Sequence, residues 1–172
     1  MKSSSPPYQH VCQVGDPGLC LKASPVDPVE ICSPQVQKVI RTLIKVMRKL
    51  DCMGLSAPQI GVPLQVTALE FTECMLHASL KGLAPFPLKF FVNLSVRILD
   101  SRTAAFVEGC ESISGFSACV PRYHSVEISG LKERGESVSW QTSGWPACII
   151  QHEIDYLNGV LYIDKMDSPP PP

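Results

Sequence analysis

The chain has no surplus of charge of either sign: 15 Lys and Arg stand against 16 Asp and Glu, a formal net charge of −1. That balance argues against proteins that hold nucleic acid or an anionic membrane surface through a clear positive excess. Long hydrophobic runs are also missing. Blocks such as residues 88–94 are broken by Lys89 and Asn93 and fall far short of the ~20 apolar residues that span a bilayer. Residues 1–10 are Ser/Pro-rich, with neither an apolar h-region nor an Arg-rich amphipathic stretch, so they read as neither a signal nor a transit peptide. No Gly-x-Gly-x-x-Gly and no Walker lysine occurs, which removes the usual phosphate cradles. The eight cysteines, at 12, 20, 32, 52, 74, 110, 119 and 148, form no Cys-x-x-Cys pair and no tight secreted framework. They read as free thiols in a reducing compartment.

What is present fits one domain of 172 residues, 45% hydrophobic and 18% charged, enough to fill a core. Sixteen prolines mark the joints. Residues 1–9 and the proline run 168–172 read as tails, with the folded domain over 10–167. Ser33-Pro34 is an N-cap followed by proline at the first helical position. After it Val36, Val39, Ile40, Leu43, Met47 and Leu50 follow a helical stripe, with Lys38, Arg41, Lys45 and Arg48 outside it. A second helix opens at Ser143-Gly144-Trp145-Pro146 and closes at Gly159. Cys148, Ile149, Ile150, Ile154 and Leu157 leave it almost no polar face, so it is expected to be central and enclosed. Short β-rich segments at 64–69, 89–94, 97–99, 104–107, 123–128 and 138–141 lie between the helices. The expectation is an α+β fold, with short antiparallel or mixed strands around the enclosed helix and one amphipathic helix near the amino end.

Three segments carry chemistry. The enclosed helix contains His152-Glu153-Ile154-Asp155-Tyr156. In His-Glu-x-x-His two imidazoles one turn apart share a face and bind one metal, and the intervening Glu acts on the water that the metal activates. Here Tyr156 occupies the second His position. The bland reading is a buried His bonded to a carbonyl, with Glu153 in an ion pair; yet placing both on an apolar helix is costly unless each finds a partner. Glu108-Gly109-Cys110-Glu111-Ser112 can present a thiol to a cation, or be a turn around a buried Cys. Gly54-Leu55-Ser56-Ala57-Pro58-Gln59-Ile60-Gly61 permits close backbone approach and offers the Gln59 amide, or is a structural loop.

Taken in this order the three segments resemble the peptide deformylases of the mitochondrial type. That family carries a Gly-x-Gly-x-Ala-Ala-Pro-Gln-x-Gly-like loop, Glu-Gly-Cys-x-Ser and Gln-His-Glu-x-Asp-His; the matches are residues 54–61, 108–112 and 151–156. The resemblance implies metal-dependent hydrolysis of the N-formyl group from the initiator methionine of new polypeptides, in the mitochondrion. It implies Cys110 and His152 as ligands of one divalent metal (Fe²⁺ foremost, with Zn²⁺, Co²⁺ or Ni²⁺ as substitutes), Glu153 as general base and then acid, and the Gln59 amide with the Glu111 backbone N–H on the oxyanion. Gly54 and Leu55 are expected beside the formyl group and methionine. Tyr156 departs from the pattern: a phenol is a poor neutral ligand, with a reference pKa of ~10, and is longer than imidazole. The alternative reading is therefore a pseudoenzyme that binds peptide N-termini without turnover. The apolar strand at 104–107 offers a face for a homodimer.

Overall fold

The structure, a computed structural model, describes residues 5–75 and 83–166. The expected tails at 1–4 and 168–172, and His77, lie outside the described residues.

Helix α1 spans Pro34–Lys49. Its start is set by Ser33, whose Oγ accepts from Val36 N at 3.3 Å, with Pro34 prearranged behind it. Of the expected stripe Val36, Val39, Ile40, Leu43 and Met47 are buried, together with Val46, while Leu50 is the half-buried C-cap; the buried face packs against Leu55, Ala57, Ile60 and Val66. Truncating one such side chain to Ala costs about 2–5 kcal/mol.

Five strands form one antiparallel sheet in sequence order: β1 Gly54–Ser56, β2 Val66–Phe71, β3 Phe86–Cys110, β4 Ile113–Leu131 and β5 Ser137–Ser143. The segments expected at 89–94, 97–99 and 104–107 are one strand, β3. Its register with β4 shifts between Val92 and Ser95, Ile98 and Asp100, and Asp100 and Thr103. Bulges interrupt alternation without ending a strand. At the first of these, Asn93 adopts φ 54°, and its side chain holds Val26 from both sides: Nδ2 donates to Val26 O at 2.6 Å and Oδ1 accepts from Val26 N at 2.7 Å. β3 turns into β4 through two residues, Glu111 and Ser112, between the paired Cys110 and Ile113.

Helix α2 spans Trp145–Leu157. Gly144, at φ 64°, makes the turn into it, a conformation that favours glycine. Nine of its residues are buried, among them His152, Glu153, Asp155 and Tyr156. Ile149 and Ile150 pack with Leu69, Phe91 and Ile128. Tyr156 packs with Leu19, Val120 and Tyr162.

Backbone hydrogen bonds reach back to Tyr8, within the segment expected as a tail over 1–9. Tyr8 N donates to Ile60 O at 2.9 Å and Cys12 N to Gln59 O at 2.8 Å. Gly61, at φ 80°, has no room for a Cβ beneath the Tyr8 ring. Among the described residues the seven cysteines 12, 20, 32, 52, 110, 119 and 148 are free thiols. No helix among them is long and apolar enough to cross a membrane.

Candidate active site

Sheet and helix α2 leave one cleft of about 240 Å³, whose walls include Gly54, Gln59, Cys110, His152 and Glu153. Residues from three distant stretches therefore meet. β1 brings the first, and strand alternation sorts its side chains. Ser56 faces α2: its hydroxyl donates to Glu153 Oε2 at 2.6 Å. Gly54 borders the same carboxylate so closely that a Cβ there would lie 2.6 Å from Glu153 Oε1. Leu55 points the other way. Its side chain is fully buried in the core beneath α1.

Gln59 is fixed at both ends of its amide. Oε1 accepts from Ser56 N at 2.9 Å, and Nε2 donates to Ser112 Oγ at 3.1 Å and lies 3.5 Å from Cys110 Sγ. Cys110, the last residue of β3, also has Ser112 N at 3.5 Å and the Tyr156 hydroxyl at 2.9 Å from its sulfur. Glu111 is exposed, and its carbonyl accepts from Gln13 Nε2 at 2.9 Å.

Behind the cleft lies a chain of charges that the sequence did not reveal. Glu108 Oε2 sits 2.8 Å from His152 Nδ1, which fixes the ring. The same carboxylate takes a bidentate pair from Arg122, at 2.6 and 2.8 Å. Arg122 Nη1 also donates to Asp155 Oδ2, and Lys165 Nζ to Asp155 Oδ1, both at 2.6 Å. Asp155 thus turns away from the cleft. The Cys148 thiol donates to Glu108 Oε1 at 3.2 Å. Of the other histidines, His10 stacks on Tyr8 and His124 lies 3.7 Å from Asp100.

The two buried glutamates of the cleft are driven apart. Burial pushes Glu108 upward, but hydrogen bonds from Arg122 and His152 outweigh it and hold the carboxyl at about 2. Burial raises Glu153, and the opposing His152 charge and Ser56 bond do not cancel it. Burial pushes His152 down; hydrogen bonds with Cys110 and Glu108 reverse that and raise it to about 10. Burial, then the neighbouring Cys110, pushes the Tyr156 phenol far up.

The donor set fits a divalent cation through two groups, the Cys110 sulfur and the His152 imidazole, which share a contact. No third Cys, His, Asp or Glu converges with them among the described residues. The Tyr156 hydroxyl lies 2.9 Å from the sulfur.

The chain matches the family described as polypeptide deformylase over residues 8–171. It is 54% identical over 169 residues to the mitochondrial peptide deformylase of Homo sapiens, covering 95% of this chain and 70% of that protein. To the chloroplastic/mitochondrial peptide deformylase 1A of Arabidopsis thaliana it is 44% identical, over 88% of this chain and 59% of the plant protein. Among solved structures, the class I type b peptide deformylase from Acinetobacter baumannii, bound to Met-Ala-Ser, superimposes with a TM-score of 0.84 at 26% identity, over 91% of this chain and 96% of that one. The Thermotoga maritima enzyme gives 0.77 at 28% identity, over 94% and 99%. A chain that matches from Tyr8 onward, with Gln59, Cys110, His152 and Glu153 gathered in one cleft, belongs to the polypeptide deformylase family, whose members are hydrolases.

Proposed function

We propose that the chain removes the N-formyl group from the initiator methionine of newly made polypeptides in the mitochondrion. The observation that carries this reading is the meeting of Gln59, Cys110, His152 and Glu153 around one cleft. The human relative's mitochondrial name and the Met-Ala-Ser bound to the bacterial relative support the compartment and the substrate class.

Cys110 and His152 are the residues that would hold a divalent metal, Fe²⁺ in our reading, with Tyr156 as the third neighbour. When bound, such an ion supplies Lewis acidity, polarising a carbonyl and lowering the pKa of water. Glu108 orients His152 through Nδ1. Ser56 holds Oε2 of Glu153, and the missing side chain of Gly54 leaves room at Oε1. There Glu153 takes the proton from the attacking water and returns it to the departing amine. A carboxyl raised by burial suits both directions of transfer near neutral pH. Gln59 Nε2 and the Glu111 N–H stabilise the negative charge that develops on the formyl oxygen, each such donor contributing ~3–4 kcal/mol. The products are formate and a peptide with a free amino end.

The test is to load the protein anaerobically with Fe²⁺ or Co²⁺, count the metal and follow formate release from formyl-Met-Ala-Ser. Near-stoichiometric metal and turnover are expected, with Tyr156→His tightening retention by about 10–100-fold, the cost typical of disturbing a ligand's support. Turnover only in Tyr156→His would overturn the reading for the natural chain.

A further inference from the structure

The turn from β3 into β4 is weakly held by its own ladder. Cys110 pairs with Ile113, but the pair before it is Gly109 with Ser117, so the register breaks between them and residues 114–116 fall outside the pairing. A ladder disrupted at that point fixes the end of a hairpin less firmly. The turn is tied down from outside instead, by the segment before the first proline of the domain. Val14 N donates to Ser112 O at 2.8 Å, and Gln13 Nε2 donates to Glu111 O at 2.9 Å. The Gln13 carboxamide is itself steered: Oε1 accepts from Ser114 Oγ at 3.4 Å, and Nε2 lies 3.4 Å from Val11 O. One residue earlier, Cys12 N donates to Gln59 O at 2.8 Å. The Gln59 side chain then closes the circuit on Ser112 Oγ at 3.1 Å, across 53 residues of sequence. Three consecutive residues, Cys12, Gln13 and Val14, therefore bridge the two loops that carry Gln59 and Glu111.

We propose that Gln13, which lies outside the cleft wall, is a positioning residue for the hydrolysis: by holding the Glu111 carbonyl it sets the tilt of the β3–β4 turn relative to the Gln59 amide. This rests on the deformylase reading given above and deepens it. In that reading the Gln59 amide and the Glu111 N–H meet one developing oxyanion. Such donors act at about 2.7–3.1 Å from the place where charge appears. Two donors carried by separate loops reach one point only if something holds both loops in one frame. Of the three bonds that Cys12, Gln13 and Val14 make to those loops, only that of Gln13 comes from a side chain. Its removal leaves the two backbone bonds in place, so the frame loosens without coming apart.

Gln13→Met keeps the reach of the side chain and removes its donor and acceptor. Gln13 is exposed, so the variant is expected to fold. In the metal-loaded full chain, kcat for formyl-Met-Ala-Ser should fall about 2–10-fold, the worth of one hydrogen bond. KM should stay unchanged, because the lost alignment matters only in the transition state. Gln13→Lys keeps a donor on a side chain of similar length and should recover most of kcat. In the metal-free protein the Ser112 N–H, 3.5 Å from the Cys110 sulfur, should exchange with solvent faster in Gln13→Met, while the Leu43 amide in α1 keeps its rate. An unchanged kcat, a loss carried by KM or not recovered by Gln13→Lys, or an unchanged Ser112 exchange rate overturns the positioning role and leaves the deformylase reading standing. No turnover by the unsubstituted chain overturns that reading and this inference with it.

Discussion

The two sides of the cleft bury carboxylates at similar depth and treat them in opposite ways. On one side Glu108, 6% exposed, is held by a guanidinium, an imidazole and a thiol. On the other Glu153, 3% exposed, has a hydroxyl on one oxygen. Two titratable groups pushed apart by their surroundings mark a division of labour. The charged, fully partnered glutamate is a fixture. The under-partnered one can move a proton.

The contrast can be broken most forcefully at Glu153. Glu153→Gln keeps the shape and removes the base, so formate release should fall by about 10²–10⁴-fold while thermal stability does not fall. A matching drop in melting temperature would assign Glu153 to the fixture side instead. Next comes Arg122→Met, which strands Glu108 and Asp155 without their cation. Denaturant unfolding should show a loss of about 3–5 kcal/mol. Adding Glu108→Gln to Arg122→Met should recover part of it, because the uncompensated charge is gone.

The pH dependence sharpens the comparison through its sign. Glu108 is lowered from 4.5 to about 2, so its share of stability is complete above the unfolded value and is lost as pH falls from there toward 2. Glu153 is raised, so its charging opposes folding once pH passes the unfolded value. Melting temperature against pH should therefore show a shallower acid limb in Glu108→Gln, and in Glu153→Gln a gain at neutral pH. The smallest effect is expected at the exposed end of the charge chain. Lys165 is 45% exposed beside Asp155, and Lys165→Met should cost about 0–1 kcal/mol in denaturant unfolding.

Much of this was legible in the sequence because it is local. The Ser33-Pro34 cap, the stripe of α1 and the apolar α2 are carried by neighbours three and four residues apart. Gln59, Cys110, His152 and Glu153 sit in short motifs. The rest depends on partners far away in the chain. Ser56 is 97 residues from Glu153, and Arg122 is 33 from Asp155; Ser56 lies in the 54–61 segment, which does not name its partner, and Arg122 lies outside all three segments. β1 is three residues containing Gly and Ser, too short and too weak in β-formers to announce itself. The first half of β4 carries Gly115 and Pro121, which read as breakers. The burial of the Leu55 side chain beneath α1 depends on which face of β1 it takes, and its place in the motif does not state that.

The bonds from Tyr8 and Cys12 to Ile60 and Gln59 give the amino end of the domain a direct hand on the loop that carries Gln59. A fusion partner joined at that end, or a protease that trims to residue 13, acts one hydrogen bond from the backbone of Gln59, whose side-chain amide is proposed to meet the formyl oxygen. Preparations differing only in that end should be compared for turnover before any difference is ascribed to the cleft.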